Sequence, residues 1–248
     1  MVEAYSDPAA PERKPGRIGK ALIGLLMKRA AIAANMPLGE RFRLVSLEGP
    51  ALRSAQWAPG QKVQIAMDSA FVARTYTPMD WDADRGRMQF LGFAHGSAPG
   101  SHWLREAREG DECHLFGPRP SLDLRPFDGP IAFFGDETSL GLACAAARHD
   151  PRRIVSGYFE VDDETESAAV ADHLSMGAVH IFQRSAEDAH LAGMEAALPA
   201  LAGAGHAFVL TGKAGTVQRL RQALKRHGVP PGRIRTKAYW APGKVGMD

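Results

Sequence analysis

From residue 40 to about 127 the chain is built of short runs that mix hydrophobic and polar residues, separated by Gly and Pro. These runs are ERFRLVSL, QKVQIAM, FVARTYT, GRMQFLGFA and ECHLFG. Short strands with such turns are typical of a small antiparallel barrel. One helix is predicted among them, over PGSHWLREAREG, because Pro99 stands near its start and Gly110 just past its end.

After Pro130 the pattern changes to apolar runs that alternate with helical periodicity. The predicted strands are PIAFFGD, RIVSGYFEV, GAVHIFQ, HAFVLTG and RIRTKAYW, with a helical segment between each and the next. This alternation predicts an open parallel sheet with helices on both faces. The segment LRPFDGP, residues 124–130, breaks both patterns and is the expected junction.

Residues 17–36, RIGKALIGLLMKRAAIAANM, have apolar positions at helical spacing. They predict one amphipathic helix that packs on its own domain or on a second copy, with a membrane surface as the alternative. The expected division is therefore an N-terminal arm with this helix over 1–38, an antiparallel β-barrel over 39–127 and a parallel-sheet α/β domain over 128–248.

Composition limits the possible partners. The 248 residues carry a formal net charge of +2, which is too small to indicate a nucleic-acid partner. The two cysteines cannot form a disulfide framework or ligate a four-thiolate iron–sulfur cluster. No apolar run approaches the roughly 20 residues of a membrane-spanning helix. The sequence therefore predicts a soluble, cytoplasmic protein with no integral membrane association.

A metal site is not expected. His95, His102, Cys113 and His114 are potential ligands, but His95 and His102 lack the i, i+4 spacing of a helical zinc pair.

The predicted strand FVARTYTP carries an unusual set of side chains. A barrel followed by a parallel sheet is the architecture of flavoprotein reductases, and a flavin dinucleotide needs a planar cation, an aromatic ring and a small hydrogen-bonding group. Arg74, Tyr76 and Thr77 supply these three, with Arg74 and Tyr76 on one face of the strand and Thr77 at the turn. The alternative is an exposed edge strand.

The segment HGSAPGSHW provides the second half of such a site. A helix N-terminus offers free amides and the positive end of the helix dipole to a diphosphate. Gly96 and Gly100 allow close backbone approach, Ser97 and Ser101 can cap or donate, and Trp103 offers a flat surface.

These motifs carry a resemblance. RTYT, HGSAPGSHW, GPRPS, GDETSLG and YWAPG occur in the order and spacing of the siderophore-interacting protein family, over about residues 40–243. That family comprises flavin-dependent reductases of ferric siderophores and is part of the wider ferredoxin-reductase superfamily. The resemblance implies that FAD is held by Arg74, Tyr76 and Thr77, and that His95, the turn from Gly96 to Ser101 and Trp103 surround the rest of the cofactor.

The resemblance also implies a pyridine-nucleotide site in the α/β domain. Asp136, Glu137 and Thr138 follow its first strand and are expected to face the nicotinamide or its diphosphate, although capping of the next helix is the alternative. Gly212 matches the glycine over which the nicotinamide passes. Arg184 stands where the superfamily places a guanidinium for a 2′-phosphate, so NADPH is expected, with NADH possible, unless Arg184 is only a solvated loop residue.

The expected reaction is reduction of a ferric siderophore or similar iron chelate by NADPH through FAD, with Thr77 and Tyr76 beside the reactive ring. Lys213, Lys237 and Lys244 are candidates for an anionic chelate, because acidic PMDWDAD follows the RTYT strand where relatives often carry a basic residue. Two alternatives stay open. One is a flavin reductase or related electron transferase with a non-iron acceptor, and the other is a binding module without activity.

Overall fold

The computed structural model describes residues 27–67 and 69–243. In this part of the chain the N-terminal half forms a seven-stranded antiparallel sheet with one α-helix between its last two strands. The strands are β1 Lys28–Pro37, β2 Phe42–Glu48, β3 Lys62–Met67, β4 Ser69–Tyr76, β5 Pro78–Asp82, β6 Arg87–Phe93 and β7 Glu112–Arg119, and the helix is α1 Pro99–Glu106.

The sheet is strongly curved. Its strand order is β4-β3-β7-β1-β2-β6-β5, so the strands β4 and β5, which follow one another in the chain, form opposite edges. The ring of Tyr76 on β4 nevertheless lies 4.4 Å from that of Phe90 on β6, centroid to centroid. This contact across the interior confirms the predicted barrel-like antiparallel domain, whose core includes Val45, Ile65 and Leu115.

The helix predicted over residues 17–36 is wrong for its second half. Residues 28–37 are strand β1, which pairs with β2 and β7, and residues 17–26 lie outside the described residues. Ala30 and Ile32 are buried at alternate positions, as a strand requires. Alanine-rich segments favour helices by propensity, and the pairing with two neighbouring strands overrides it. β1 thus extends the barrel sheet into the region expected to be an arm.

The C-terminal half forms the predicted parallel sheet. Over the described residues it has five strands in the order β10-β9-β8-β11-β12, with helices packed against it. The elements are β8 Ile131–Asp136, α2 Leu140–His149, β9 Val155–Val161, α3 Glu164–His173, β10 Ala178–Gln183, α4 Leu191–Ala196, α5 Leu198–Gly203, β11 Ala207–Lys213, α6 Ala214–Arg226 and β12 Ile234–Trp240. The order reverses between β8 and β11, which is where sheets of this type leave a crevice for ligands.

One apolar cluster spans the two halves. Phe42 and Met79 from the antiparallel sheet pack in it with Phe133 on β8 and Leu140 at the start of α2. Helix α2 approaches the barrel so closely that a Cβ on Gly141 would lie 3.3 Å from Met79 Cγ. This packing fixes the edge of the barrel against the carboxyl end of β8.

A polar contact reinforces the same interface. The backbone amide and Nε of Arg41, which precedes β2, donate to the two carboxylate oxygens of Glu166 on α3 at 2.7 and 2.9 Å. A membrane-spanning helix is not found, since none of the helices in the described residues is both long and apolar enough.

Candidate functional site

A cleft of about 330 Å³ lies where the barrel meets the parallel sheet. The barrel side of its wall comes from β4, β6 and the start of α1, and the other side from α2 and β12. The lining residues that matter below are Arg74, Tyr76, Thr77, His95, Gly100, Ser101, Thr138, Lys237, Tyr239 and Trp240. The cleft therefore joins two sequence motifs that are expected to bind one cofactor.

The end of β4 brings Arg74, Tyr76 and Thr77 together in this wall. Arg74 Nη1 donates one hydrogen bond to the carbonyl oxygen of Ala73 at 3.0 Å. The Tyr76 ring is supported from behind by Phe90, and burial raises the pKa of its phenol despite the opposing charge of Arg74. The strand thus presents a cation, a rigid neutral aromatic ring and a hydroxyl to the same space.

The N-terminus of α1 faces the same space. A Cβ on Gly100 would lie 2.9 Å from Arg74 Cγ and 3.4 Å from the Tyr76 hydroxyl, so only glycine fits between the helix start and the strand. Pro99 occupies the first turn and no side chain caps the helix. The amides of the first turn therefore remain available to an anion beside the Arg74 guanidinium.

The segment before α1 is only partly in the cleft. His95 lines it, and its carbonyl accepts a hydrogen bond from Ser101 Oγ at 2.5 Å. Gly96 takes a positive φ of 62°, which makes the turn into the helix. Ser97 and Trp103 are not among the described residues that line the cleft. Trp103 packs instead against Phe90, with ring centroids 6.5 Å apart, so the structure places it at the barrel core.

Of the GDET residues, Thr138 alone lines the cleft. Asp136 is 0% exposed and caps the short 3₁₀ turn Glu137–Ser139, accepting the Thr138 amide at 2.9 Å and the Trp240 indole N–H at 2.6 Å. Burial raises the pKa of Asp136 to about 6, and the hydrogen bonds from Thr138 and Trp240 oppose that shift. The Asp136 carboxylate thus lies behind the cleft wall and caps the turn, which is the alternative left open from the sequence, and its contact with a nucleotide stays a prediction.

Glu137 and Arg184 bind each other, and neither is among the residues that line the cleft. Arg184 Nη1 and Nη2 bind the two oxygens of Glu137 at 3.0 and 2.8 Å, and Nη1 also binds Asp162 at 2.5 Å. Burial alone would lower the pKa of Arg184, but the bonds and charges of Glu137 and Asp162 raise it. The guanidinium lies 5.9 Å from the Trp240 ring. Three carboxylates, with Glu160 3.8 Å from Nε, already surround the group expected to bind a 2′-phosphate.

Gly212 lies on β11 next to the carboxyl end of β8. Its φ is 94°, and a Cβ there would lie 2.3 Å from Asp136 Oδ2. The Asp136 carboxylate thus fills the space that a side chain would need. The role expected for Gly212 beneath a nicotinamide stays a prediction, but its glycine identity has a structural cause.

The three lysines proposed to hold an anionic chelate have different surroundings. Lys237 lines the cleft, whereas Lys213 Nζ is bound to Asp188 Oδ1 at 2.9 Å. Lys244 lies outside the described residues. Within the described part, Lys237 is thus the one of these candidates that the structure brings to the cleft.

Tyr239 and Trp240 were assigned no role from the sequence. Both line the cleft, and burial raises the pKa of the Tyr239 phenol, while the nearby hydroxyls of Thr77 and Thr211 oppose that shift. Their position at the carboxyl end of the last parallel strand was the available signal, since ligands bind at that edge.

Comparison with known families gives two matches. Residues 130–243 match the model described as "Siderophore-interacting protein", and residues 50–122 match the model described as "Siderophore-interacting FAD-binding domain". A comparison with curated protein sequences found no significant match.

Solved structures share the fold at low identity. A siderophore utilization protein from T. fusca is 20% identical with a TM-score of 0.68, covering 90% of this chain and 95% of the other. The siderophore-interacting protein SipS from Aeromonas hydrophila is 18% identical with a TM-score of 0.69, covering 89% and 93%. The ferredoxin reductase in carbazole 1,9a-dioxygenase is 21% identical with a TM-score of 0.72, covering 86% and 69%. These likenesses show a ferredoxin-reductase-like fold.

Proposed function

The chain belongs to the siderophore-interacting protein family, and from this premise we propose that it is an NAD(P)H-dependent flavoprotein reductase that reduces a ferric siderophore and so releases ferrous iron. The observation that carries the proposal is the meeting of Arg74, Tyr76 and Thr77 with the open N-terminus of α1 in one cleft. The family match to an FAD-binding domain supports the identity of the cofactor.

The residues of the cleft fit FAD. Arg74 provides a planar cation for a diphosphate, and the amides of Gly100 and Ser101 provide backbone donors. The Arg74 side chain packs directly against Gly100, where a Cβ would lie 2.9 Å from Arg74 Cγ, so the cation and the helix start are adjacent. Tyr76 gives a flat apolar surface and Thr77 a hydroxyl for the ring. Bound there, a flavin supplies the ability to accept two electrons together from a nucleotide and to pass them on singly.

Iron needs no ligands from this protein, because a siderophore brings its own. Ferric iron is a harder acid than ferrous iron, so oxygen-rich chelators hold the reduced ion more weakly and reduction releases it. Lys237 is the cation that we propose to attract an anionic chelate to the mouth of the cleft. Lys213 is assigned to its ion pair with Asp188 instead.

The electron donor that we propose is a reduced pyridine nucleotide bound at the carboxyl ends of β8 and β11, beside Thr138 and Gly212. NADPH was expected because Arg184 could bind its 2′-phosphate. The guanidinium of Arg184 instead donates hydrogen bonds to Glu137 and Asp162, so it does not support that preference. The preference for NADPH over NADH therefore stays a prediction of the sequence alone.

The first test is spectroscopic. We expect the purified protein to be yellow and to bleach under anaerobic conditions when NADPH or NADH is added, and ferric chelates from a catecholate and hydroxamate panel to restore the colour. A protein that bleaches but is reoxidised only by quinone or free flavin would support the alternative, an electron transferase with a non-iron acceptor. A ferredoxin reductase has the same fold as this chain. A colourless protein that binds neither FAD nor nucleotide would refute the proposal.

Replacing Arg74 with alanine is expected to weaken FAD binding roughly 10- to 100-fold, equivalent to about 1.5–3 kcal/mol for a hydrogen bond to a charged group. Arg74→Lys should fall between, because lysine keeps the charge and loses the planar fork. Equilibrium titration of flavin-free protein with FAD, followed by flavin fluorescence, measures both. Arg85→Ala, on a side chain that is 81% exposed in the turn after β5, is the control and should bind FAD like the wild type. Equal affinity in Arg74→Ala and Arg85→Ala would remove Arg74 from the site.

A further inference from the structure

The turn that leads from β6 into α1 is held by side chains of the helix itself. Three consecutive carbonyl oxygens in this turn each accept a hydrogen bond from α1. The carbonyl of His95 accepts from Ser101 Oγ at 2.5 Å. The carbonyls on either side, those of Ala94 and Gly96, accept from Arg105 Nη2 and Nη1 at 3.1 and 3.0 Å. Residues 101 and 105 are four positions apart and lie on one face of the helix, so two neighbouring side chains restrain the whole turn.

The shape of arginine suits this contact. The guanidinium of Arg105 holds its two terminal nitrogens in one rigid plane, and each of them reaches a different carbonyl. Lysine carries all its donors on a single atom, so it cannot reproduce this fork. One of the two carbonyls belongs to Gly96, whose φ of 62° makes the turn into the helix. Arg105 therefore fixes the backbone on both sides of His95.

The restrained turn borders the part of the cleft where a diphosphate is proposed to bind. His95 and Gly100 line the cleft, and the side chain of Arg74 packs against Gly100. Carbonyl oxygens carry partial negative charge and repel an anion, whereas backbone amides attract it. Because each of the three carbonyls is bound to α1, none of them can rotate toward the anion without losing a hydrogen bond.

Arg105 itself lies outside the cleft. It lines a second hollow, of about 660 Å³, together with Arg43, Arg108 and Asp111, and it is not among the residues that line the cleft. Arg105 can therefore act on a cofactor in the cleft only through the turn. Ser101 is 4% exposed, and its hydroxyl donates its one proton to the His95 carbonyl.

We propose that Arg105 is a positioning residue of the FAD site, which together with Ser101 fixes the turn at residues 94–96 before the cofactor enters. The inference rests on the proposed function, which places the FAD diphosphate beside Arg74 and the start of α1. A turn that is already ordered does not lose conformational entropy when the cofactor binds. This advantage concerns the diphosphate half of the cofactor, so Arg105 favours FAD over a flavin without phosphate groups.

The first experiment compares two flavins on flavin-free protein. FAD and riboflavin carry the same ring, and only FAD has the diphosphate. We expect Arg105→Met to bind FAD about tenfold more weakly, the factor for one charge-assisted hydrogen bond, and to bind riboflavin within about twofold of the wild type. Arg105→Lys should bind FAD about threefold more weakly, because lysine keeps the charge and loses the planar fork. Equilibrium titrations followed by flavin fluorescence measure these affinities.

Arg108→Met is the matched control. Arg108 lines the same hollow three positions further along the chain, and its hydrogen bond to Asp111 is made by its backbone amide, at 2.8 Å. The variant removes the same charge from the same surface and should bind both flavins like the wild type. Flavin-free Arg105→Met and Arg108→Met should melt within about 2 °C of each other, because bonds at an exposed turn contribute little to global stability. A loss of FAD affinity is then not a loss of fold.

A second experiment tests whether the two side chains restrain one turn. We expect Ser101→Ala to weaken FAD binding about three- to tenfold and to leave riboflavin binding unchanged, because it releases the His95 carbonyl. In the double variant with Arg105→Met, the loss should be smaller than the product of the two single losses, since a turn released by one change has less order left to lose. Losses that multiply would contradict a joint restraint.

The outcomes separate this inference from the proposed function. A wild-type protein that binds no FAD refutes the proposed function. If the wild type binds FAD and Arg105→Met binds it as tightly as Arg108→Met does, only the role of Arg105 is refuted. Equal losses of FAD and riboflavin in Arg105→Met would refute that role as well, because the effect would then not lie at the diphosphate.

Discussion

Replacing Arg184 with methionine is expected to destabilise the protein by about 3–5 kcal/mol, the usual cost of leaving a buried charge without its partner. Glu137 is 2% exposed and receives both terminal nitrogens of Arg184, at 3.0 and 2.8 Å. Methionine fills a similar volume and offers no donor, so Glu137 loses both bonds from the guanidinium and keeps the bond from the Asp162 amide at 2.7 Å. Denaturant unfolding of the flavin-free protein, compared at constant pH, measures the difference.

Two further variants make this result specific. Arg219→Met removes a similar pair, since Arg219 Nε binds Glu195 at 2.9 Å, but this guanidinium is 41% exposed and its loss should cost less than about 1 kcal/mol. Adding Glu137→Gln to Arg184→Met should recover part of the stability by removing the stranded charge. An Arg184→Met protein as stable as Arg219→Met would show that the pair contributes little.

The same variant decides what Arg184 does for nucleotide binding. If its role is to hold Glu137, then properly folded Arg184→Met should lose affinity for NADPH and NADH by the same factor. The sequence alone predicted a selective loss of NADPH. A selective loss would mean that a 2′-phosphate displaces the carboxylates from the guanidinium, which direct titration with both nucleotides would detect.

Replacing Gly212 with alanine is the second change for which we expect a large effect, a loss of about 2–4 kcal/mol of stability. The new Cβ would lie 2.3 Å from Oδ2 and 2.5 Å from Cγ of Asp136, closer than carbon and oxygen atoms approach. The φ of 94° adds strain for any residue with a Cβ. Relief requires Asp136 to move, which would break its 2.6 Å bond to Trp240.

Gly215→Ala is the matched control for this prediction. Gly215 lies three positions further on in the first turn of α6, and a Cβ there meets nothing within 4 Å. Alanine favours a helix over glycine, so this variant should be as stable as the wild type or up to about 1 kcal/mol more stable. Thermal unfolding of both, with tryptophan emission as a second readout of the Asp136 contact, gives the comparison. Equal melting temperatures for the two variants would contradict the steric argument.

The antiparallel sheet shows where sequence patterns succeed and where they fail. β2, β3, β4, β6 and β7 were predicted because their alternation and their Gly and Pro turns are local signals. β1 was predicted as helix, since its alanines fit both periods and nothing within the segment indicates pairing with β7, whose nearest residues lie more than 70 positions away in the chain. β5 was not predicted because Pro78 and the acidic residues after it are typical of a turn.

The candidate site divides in the same way. The sequence alone determined the two-part architecture and the side chains that β4 and α1 present, because a strand's period and a helix start depend on neighbouring residues. Only the tertiary structure decided that Arg184 binds Glu137, 47 positions earlier, and that Trp240 binds Asp136, 104 positions earlier. Those contacts determine which charges are buried and which face the cleft. Burial and charge pairing depend on which distant segments meet, and that information is absent from the local pattern of any one element.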